Sequence, residues 1–249
     1  MEIIEKTKNG LIYYQFKRFN QLNWVEHIFT SRIGWNNENI SEKLSKCLDM
    51  PKSNRISLRQ VHGTDVVLID SYDEDFNKLS KLEGDGLITD LPNIILSTNH
   101  ADCVPIYFVD LNKKVIGVAH GGWRGTYGNM TRNMIDKMKG VYNSNAKDIL
   151  VGIGPSIGPC CYEVGMDLVE MFKNRYPNFS NIFVEKDDKV LLDLWRINYL
   201  QARDMGIEVQ NIIVSEVCTS CNVDKFHSYR KEGGTKGRMV TAIGLRSGA

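Results

Sequence analysis

Short apolar runs recur along the chain, and they predict a protein built mainly of β-strands. The runs are rich in β-branched and aromatic residues, and Gly, Pro, Asp or Asn bounds most of them. A polar stretch at 34–41 interrupts the series and is typical of a loop. The predicted strands are 11–16, 23–30, 66–70, 87–89, 94–98, 104–109, 115–119, 149–153, 212–217 and 239–245.

Helical spacing of apolar residues appears from the middle of the chain onward. Met130, Met134, Ile135 and Met138 fall on one face of a helix over 129–139. Two further helices are predicted at 166–175 and 192–205, the second with Asp193 as its N-cap. Strands and helices do not alternate strictly, and no low-complexity linker divides the chain. The pattern therefore predicts an α+β fold, a single domain over 1–249 with mixed β-sheets flanked by helices.

Composition and charge limit the kind of partner. Apolar residues make up 42% of the chain and charged residues 24%, as in ordinary globular proteins. The 31 basic and 30 acidic residues leave a net charge of +1 without a long single-sign block, which argues against a nucleic-acid or membrane-surface partner. We see no signal peptide and no apolar stretch long enough to span a bilayer. The six cysteines are therefore expected to be reduced, in a cytoplasmic protein.

Candidate chemistry is concentrated where predicted strands end in turns. His62 stands before a glycine, Cys103 leads into a strand, and His120 follows one. Two imidazoles and a thiolate are the ligand set of an open zinc site, with one position left for water or substrate. Each residue also has a structural interpretation, because a lone cysteine is most often a small buried hydrophobe and a histidine before glycine is often a turn residue.

The glycine-rich turn His120-Gly121-Gly122-Trp123-Arg124-Gly125 permits close approach of backbone to a ligand. Successive amide groups in such a turn can bind an anion, and Arg124 can add a charge-assisted fork for phosphate. The alternative is a turn closed by a tryptophan packed on the core, with Arg124 solvated.

Seven segments occur in order over 59–239, and together they resemble the YfiH/YlmD family. This family carries the older label of laccase-like multicopper polyphenol oxidase, and its members are zinc-dependent purine nucleoside phosphorylases that also deaminate adenosine. The resemblance covers nearly the whole chain and implies the corresponding α/β sandwich fold. The segments are RQVHGTDV, GDGLITD, HADCVPIYFVD, AHGGWRGT, GIGPSIGPCCYEVG, DLWRINYLQARDMGI and CTSC…FHSYRKEGGTKGRM.

The resemblance implies zinc at His62, Cys103 and His120, and purine nucleosides and phosphate as substrates. It also implies a substrate-binding role for Arg32, in HIFTSRIG, and a structural or pocket role for Arg230 and Arg238 in the SYR…GR segment. The chain departs from the family pattern at four points. One is the stretch NNENISEKL after Trp35, where the family has a serine- and glycine-rich continuation. Trp35 replaces a glycine after Arg32, His100 stands where many relatives have threonine, and Cys221 creates a C-x-x-C.

Proton transfer and further phosphate contacts have weaker sequence signals. His100, Asp102 and Glu163 are the candidate proton carriers, and Asp102 is equally well interpreted as a turn-capping carboxylate. Arg59 is a candidate phosphate ligand, although strand alternation would send it to the face opposite His62. Asp85 before Gly86 is chiefly a turn signal.

Four further cysteines have no clear place in this chemistry. Cys160 and Cys161 are adjacent, so one is expected in the core, and the functional alternative has Cys160 or Tyr162 lining the pocket. Cys218-x-x-Cys221, with His227 nearby, resembles half a zinc knuckle that lacks a second half unless Cys160 or Cys161 joins it. We interpret the C-x-x-C as reduced thiols near the rim of the site.

Two other functions compete with the nucleoside phosphorylase. A copper oxidase acting on phenols would use Cu²⁺, but a multicopper centre needs several histidine clusters, and this chain has five histidines and no His-x-His. A binding module with a structural metal would need a closed site, and three ligands argue against one. The oligomeric state is not readable from the sequence.

Overall fold

The computed structural model describes residues 2–35, 38–50, 55–72 and 76–247. Fifteen strands and six α-helices follow one another in these ranges. They are β1 (Ile3–Lys8), β2 (Leu11–Phe16), β3 (Val25–Thr30), α1 (Ile40–Leu48), β4 (Arg55–Ser57), β5 (Val66–Ile69), α2 (Phe76–Leu79), β6 (Gly86–Thr89), β7 (Ile95–His100), β8 (Val104–Asp110), β9 (Val115–Gly121), α3 (Trp123–Tyr127), α4 (Met130–Tyr142), β10 (Ile149–Ile153), β11 (Glu163–Val164), α5 (Met166–Arg175), β12 (Phe183–Lys186), β13 (Lys189–Leu192), α6 (Leu194–Asp204), β14 (Ile212–Val214) and β15 (Met239–Leu245).

Within the described ranges, the strands form two six-stranded sheets and a small third one. The first sheet has the order β1-β2-β3-β15-β7-β4, and the second has the order β14-β10-β8-β9-β6-β5. Most neighbours are antiparallel, but β4 runs parallel to β7, β5 to β6 and β14 to β10. The third sheet is β11-β13-β12. The predicted α+β class with mixed sheets is thus confirmed.

The two large sheets pack face to face, and helices cover their outer faces. Phe16 and Phe29 of the first sheet share a buried cluster with Tyr107 and Val118 of the second. The other face of the second sheet packs on α4 and α6, and the other face of the first packs on α1. The result is a layered sandwich in which the inner faces of both sheets enclose one core.

Strand alternation brings His100 and His120 to these inner faces. In β9, Ile116 and Val118 face the first sheet, so the side chain of His120 points the same way. In β7, Leu96 lies on the inner face, and the side chain of His100, four residues further along the strand, points to the same side. The rings of His100 and His120 are 5.2 Å apart, centroid to centroid. The end of β7, the start of β8 and the end of β9 therefore meet at one edge of the sandwich.

Most predicted elements agree with the structure, and the differences have physical reasons. Helix α5 and strands β2, β10 and β15 have the predicted bounds, and Asp193 caps α6 by accepting a hydrogen bond from the backbone N–H of Arg196. The predicted loop 34–41, of which 36–37 lie outside the described residues, overlaps α1 at its last two positions. The helix begins there because Ile40, Leu44 and Leu48 form an apolar stripe that packs on the first sheet. Strand β1 was missed because its sequence, IIEKTK, is mostly polar. None of the helices described is long and apolar enough to cross a bilayer.

His27 in β3 makes stability sensitive to acid. Its Nε2 accepts a 2.7 Å hydrogen bond from the backbone N–H of Phe16, and its ring packs against Phe16, Phe19 and Tyr107. Burial lowers its pKa from 6.5 to about 3. In the unfolded chain it takes up a proton below about 6.5. The unfolded state thus binds one more proton than the folded state between these pH values. The contribution of His27 to the free energy of unfolding is therefore complete above pH 6.5 and falls by about 1.4 kcal/mol per pH unit below it.

Urea unfolding between pH 7 and pH 5 measures this dependence. In His27→Gln, the amide oxygen can accept the hydrogen bond from the Phe16 N–H and does not titrate. We therefore expect the free energy of unfolding to fall less steeply below pH 6.5, by up to about 1.4 kcal/mol per pH unit, whatever the variant's stability at pH 7. An unchanged slope in the variant would refute the assignment to His27.

Candidate metal centre

Two imidazoles and one thiol converge at the edge of the sandwich. One ligand atom each from His62, Cys103 and His120 can be chosen so that all three lie within 4.8 Å of one another. The rings of His62 and His120 are nearly perpendicular, with centroids 4.8 Å apart. His62 lies in the turn before β5, Cys103 just before β8, and His120 near the end of β9. The predicted convergence of these three residues is therefore observed.

Asp85, which precedes β6, orders this group. Its Oδ1 accepts hydrogen bonds from Nδ1 of His120 at 2.8 Å and from the backbone N–H of His62 at 3.1 Å. Its Oδ2 accepts from the backbone N–H groups of Val61 and Gly63 at 3.1 and 2.7 Å. Because Nδ1 of His120 is held in this way, its Nε2 is left to face the thiol and the other histidine. His62 itself has φ of 59°, a left-handed conformation that Asp85 stabilises.

Electrostatics in the centre favour a thiolate. Burial alone would raise the pKa of Cys103, but the neighbouring His120 and His62 lower it to about 6. Burial alone would lower the pKa of His120, but Cys103 and Asp85 raise it to about 9. Burial also opposes ionisation of Asp85, yet His120 and the N–H donors of Gly63 and Val61 lower its pKa overall. A divalent cation bound here would displace the imidazole proton and take over its attraction to the sulfur.

Gly122 explains part of the glycine-rich turn. A Cβ at this position would lie 3.2 Å from Sγ of Cys103 and 3.2 Å from Cδ2 of His62. A side chain would therefore press on two of the three donors. Gly125 is also constrained, because a Cβ there would lie 3.0 Å from the carbonyl oxygen of Gly63. These glycines let the backbone of the turn pack on the donors and on the His62 loop.

The three donors line a cavity of about 710 Å³. This volume lies in the range of small-molecule sites, and the wall combines aromatic and cationic side chains. Beyond the donors, its lining includes Gln60, Trp123, Arg124, Tyr162, Tyr229, Arg230 and Arg238.

Three of the five arginines predicted to bind substrate line this cavity. The guanidinium of Arg124 lies over the ring of Trp123, 4.3 Å from its centroid, and that of Arg230 lies 5.0 Å from the centroid of Tyr162. Arg230 also donates to the carbonyl of Glu163, and Arg238 donates to the carbonyls of Thr235 and Gly237.

The other two predicted arginines lie outside the cavity lining. Arg32 forms an ion pair with Glu232 at 3.1 Å and donates to the carbonyl of Val223 at 2.6 Å. Arg59 forms an ion pair with Glu83, and its side chain is 69% exposed.

The predicted proton carriers have different surroundings. Asp102 lines the cavity, but its carboxylate already accepts from the hydroxyls of Thr219 and Ser228 and from the backbone N–H of Arg230. His100 is buried behind the donors, with its ring nitrogens at Thr98 Oγ1 and the Cys103 carbonyl. Glu163 is exposed outside the cavity lining and pairs with Lys189 at 2.9 Å.

Sequence reasoning missed the organising role of Asp85 and the place of Tyr229 in the aromatic wall, whereas Tyr162 had been one of two candidates for lining the pocket. Asp85 was interpreted as a turn residue, and the turn is real, but its buried carboxylate accepts four hydrogen bonds. The available signal for this role was a charged residue directly before the buried strand sequence GLIT.

Comparison with known proteins gives consistent matches over most of the chain. A family model described as "Multi-copper polyphenol oxidoreductase laccase" matches residues 17–246. A curated relative from Geobacillus stearothermophilus, "Purine nucleoside phosphorylase YlmD", is 36% identical over 236 residues, which cover 92% of this chain and 85% of the relative. "Adenosine deaminase RL5", from an unknown prokaryotic organism, is 36% identical over 194 residues, 74% of this chain and 72% of its own length.

Solved structures agree with these matches. The crystal structure of YlmD from Geobacillus stearothermophilus has a TM-score of 0.86 at 30% identity, covering 98% of this chain and 99% of that one. That of the Bacillus licheniformis hypothetical protein YfiH has a TM-score of 0.85 at 28% identity, covering 97% and 99%. The chain belongs to the family described as multi-copper polyphenol oxidoreductase laccase, together with YlmD and YfiH.

Proposed function

We propose that this protein is a zinc-dependent purine nucleoside phosphorylase that also deaminates adenosine. The observation that carries the proposal is the mixed donor set His62, Cys103 and His120 on the wall of a cavity that also holds three arginines. The relatives named purine nucleoside phosphorylase and adenosine deaminase support the same assignment.

The donor set fits zinc. Imidazole nitrogens and a thiolate are ligands that zinc prefers, and three protein ligands are typical of catalytic zinc sites. Asp85 holds His120 through Nδ1, as the supporting carboxylate of such sites does. When bound, zinc supplies a Lewis acid that polarises and orients a ligand at its remaining position.

The arginines supply the phosphate site of the proposed reaction. Phosphorolysis requires a phosphate oxygen directed at C1′ of the ribose, and guanidinium groups hold a phosphate dianion through paired N–H donors. Among the described residues, Arg124 forms no ion pair or side-chain hydrogen bond of its own, so its donors are available. Arg230 and Arg238 are held by backbone carbonyls and present fixed positive charge.

Aromatic residues of the cavity suit a purine base. The rings of Trp123, Tyr162 and Tyr229 offer flat apolar faces, and stacking of a base on such a face is favourable by about 1–3 kcal/mol. Burial raises the pKa of Tyr162 to about 12, so its hydroxyl stays neutral and can donate a hydrogen bond.

An assay of released base tests the proposal directly. Zinc-loaded protein is incubated with inosine or adenosine, with and without phosphate, and the products are separated by chromatography. We expect hypoxanthine or adenine only when phosphate is present, and inosine from adenosine without it. Absence of both activities in protein that holds zinc at His62, Cys103 and His120 would favour a metal-stabilised binding module.

Substitution of Arg124 separates the two activities. Arg124→Gln removes a charged donor from the proposed phosphate site, so we expect KM for phosphate to rise by about 10–100-fold, equivalent to about 1.4–3 kcal/mol. Deamination of adenosine uses no phosphate and should change less than about threefold. Arg132→Gln, on the surface of α4 where Arg132 pairs with Asp204, is the control and should leave both unchanged. Equal loss of both activities would show that Arg124 does not act on phosphate.

The family description raises copper-dependent phenol oxidation as a second candidate function. Two imidazoles and a thiolate also occur at blue-copper sites. A multicopper centre needs more histidines, however, and His27 is committed to the core while His227 lies beside Glu232. Phenol oxidation that rises with copper loading and disappears with zinc loading would favour this candidate.

A further inference from the structure

Four cysteines outside the proposed active site converge on one point. The sulfur atoms of Cys160, Cys161, Cys218 and Cys221 all lie within 4.8 Å of one another. The first two come from the turn after β10, and the other two from the turn after β14. The two turns are joined by an isolated bridge between Ser156 and Cys218. Cys160 and Cys161, from a segment distant in sequence, therefore supply the second pair of cysteines that the C-x-x-C motif lacks.

The distances suit a single tetrahedral ion. Zn–S bonds of about 2.3 Å in a tetrahedron place the sulfurs about 3.8 Å apart. Sγ of Cys221 lies 3.5 Å from that of Cys160 and 3.3 Å from that of Cys161. These separations are well beyond the S–S bond of about 2.05 Å in a disulfide. All six separations are at most 4.8 Å, so small shifts of the sulfurs would bring them to tetrahedral spacing.

A backbone amide is directed at one of the sulfurs. The N–H of Gly158 donates to Sγ of Cys218 at 3.3 Å, and Cys218 is only 6% exposed. Hydrogen bonds from the backbone to sulfur stabilise the thiolate form, which is the form that binds metal. Four thiols that bind one Zn²⁺ release up to four protons and leave a site of net charge −2.

We propose that Cys160, Cys161, Cys218 and Cys221 bind a second Zn²⁺, a structural ion that is separate from the one at His62, Cys103 and His120. A closed set of four thiolates leaves no position for substrate, so this ion stabilises structure and takes no part in the chemistry.

The second ion would hold two segments that form the wall of the cavity. Tyr162 follows Cys161 directly and lines the cavity. Thr219 follows Cys218 directly, and its hydroxyl donates to Asp102 at 2.6 Å. The N–H of Ile157 donates to the carbonyl of Asp102 at 2.9 Å. Joining the two turns through one ion therefore fixes Tyr162 and Asp102 relative to each other.

Zinc content of variants tests the proposal. Protein reconstituted with zinc under reducing conditions should hold about two ions per chain, and Cys160→Ser combined with Cys221→Ser should hold about one. Both serines replace exposed side chains, so the fold should be retained. Cys47→Ser, in α1 away from the cluster, is the control and should hold two.

The Cys103→Ala variant isolates the second ion. It should keep about one zinc, and X-ray absorption at the zinc edge should report four sulfur ligands and no imidazole. One zinc per wild-type chain, iron in place of zinc, or a Cys161–Cys221 disulfide in protein with a single zinc would each overturn the proposal. None of these readouts depends on nucleoside turnover, so the result is independent of the proposed function.

Discussion

Cys103→Ala should abolish phosphorolysis and deamination together while the protein stays folded. The substitution removes the thiolate from the set His62, Cys103 and His120, and two imidazoles alone hold zinc far more weakly. Loss of a catalytic metal removes several kcal/mol of transition-state stabilisation, so we expect both activities to fall by at least about 10³-fold. Zinc content should fall by one ion per chain.

The control for this experiment is Cys47→Ala, which removes another partly buried thiol from α1. It should change neither activity nor zinc content. Circular dichroism of both variants should match that of the wild-type protein, because Cys103 lies in a turn and its side chain is small. Retained turnover in Cys103→Ala, with a native spectrum, would contradict the assignment of the metal centre.

Periodicity predicted those strands and helices whose own apolar residues mark the buried faces. Strands β8 and β9 are buried throughout and mostly apolar, and they were found because both of their faces pack between a sheet and helices. Helix α4 was found from Met134 and Met138, which fill its buried face. Strand β1 was missed because its residues are mostly exposed and polar. The strands of the third sheet were missed because each is only two to four residues long, and pairing with their neighbours holds them as strands.

The three candidate metal ligands could be proposed from the sequence, and the residues that support them could be proposed less well. His62, Cys103 and His120 are chemically distinctive, and each stands at a strand end, where a sequence can indicate a ligand. The position of Asp85 beside His120 depends on the pairing of β6 with β9, which is a property of the sheet order. Arg59 and Arg32 have the right chemistry but are held by Glu83 and Glu232, and only tertiary structure decides such pairings.

Asp85→Asn should weaken zinc binding without altering any donor. Both carboxylate oxygens accept hydrogen bonds, from His120 and the backbone N–H groups of 61–63, and an asparagine would direct its NH₂ group at some of these donors. Loss of a supporting carboxylate typically costs about 10–100-fold in metal affinity, and unmade buried hydrogen bonds cost about 1–3 kcal/mol of stability. We expect low activity at stoichiometric zinc that excess zinc restores.

Asp110→Asn is the matched control, because Asp110 is also a buried aspartate and lies at the opposite end of β8. Its Oδ1 accepts from the backbone N–H groups of Asn112 and Lys113, a role that an asparagine oxygen can keep. Zinc affinity, measured by competition with a chromogenic chelator, should fall in Asp85→Asn and stay unchanged in Asp110→Asn. Equal affinities in the two variants would mean that Asp85 only closes a turn. A deficit confined to Asp85→Asn and reversed by zinc would establish that this carboxylate acts through His120 on the metal.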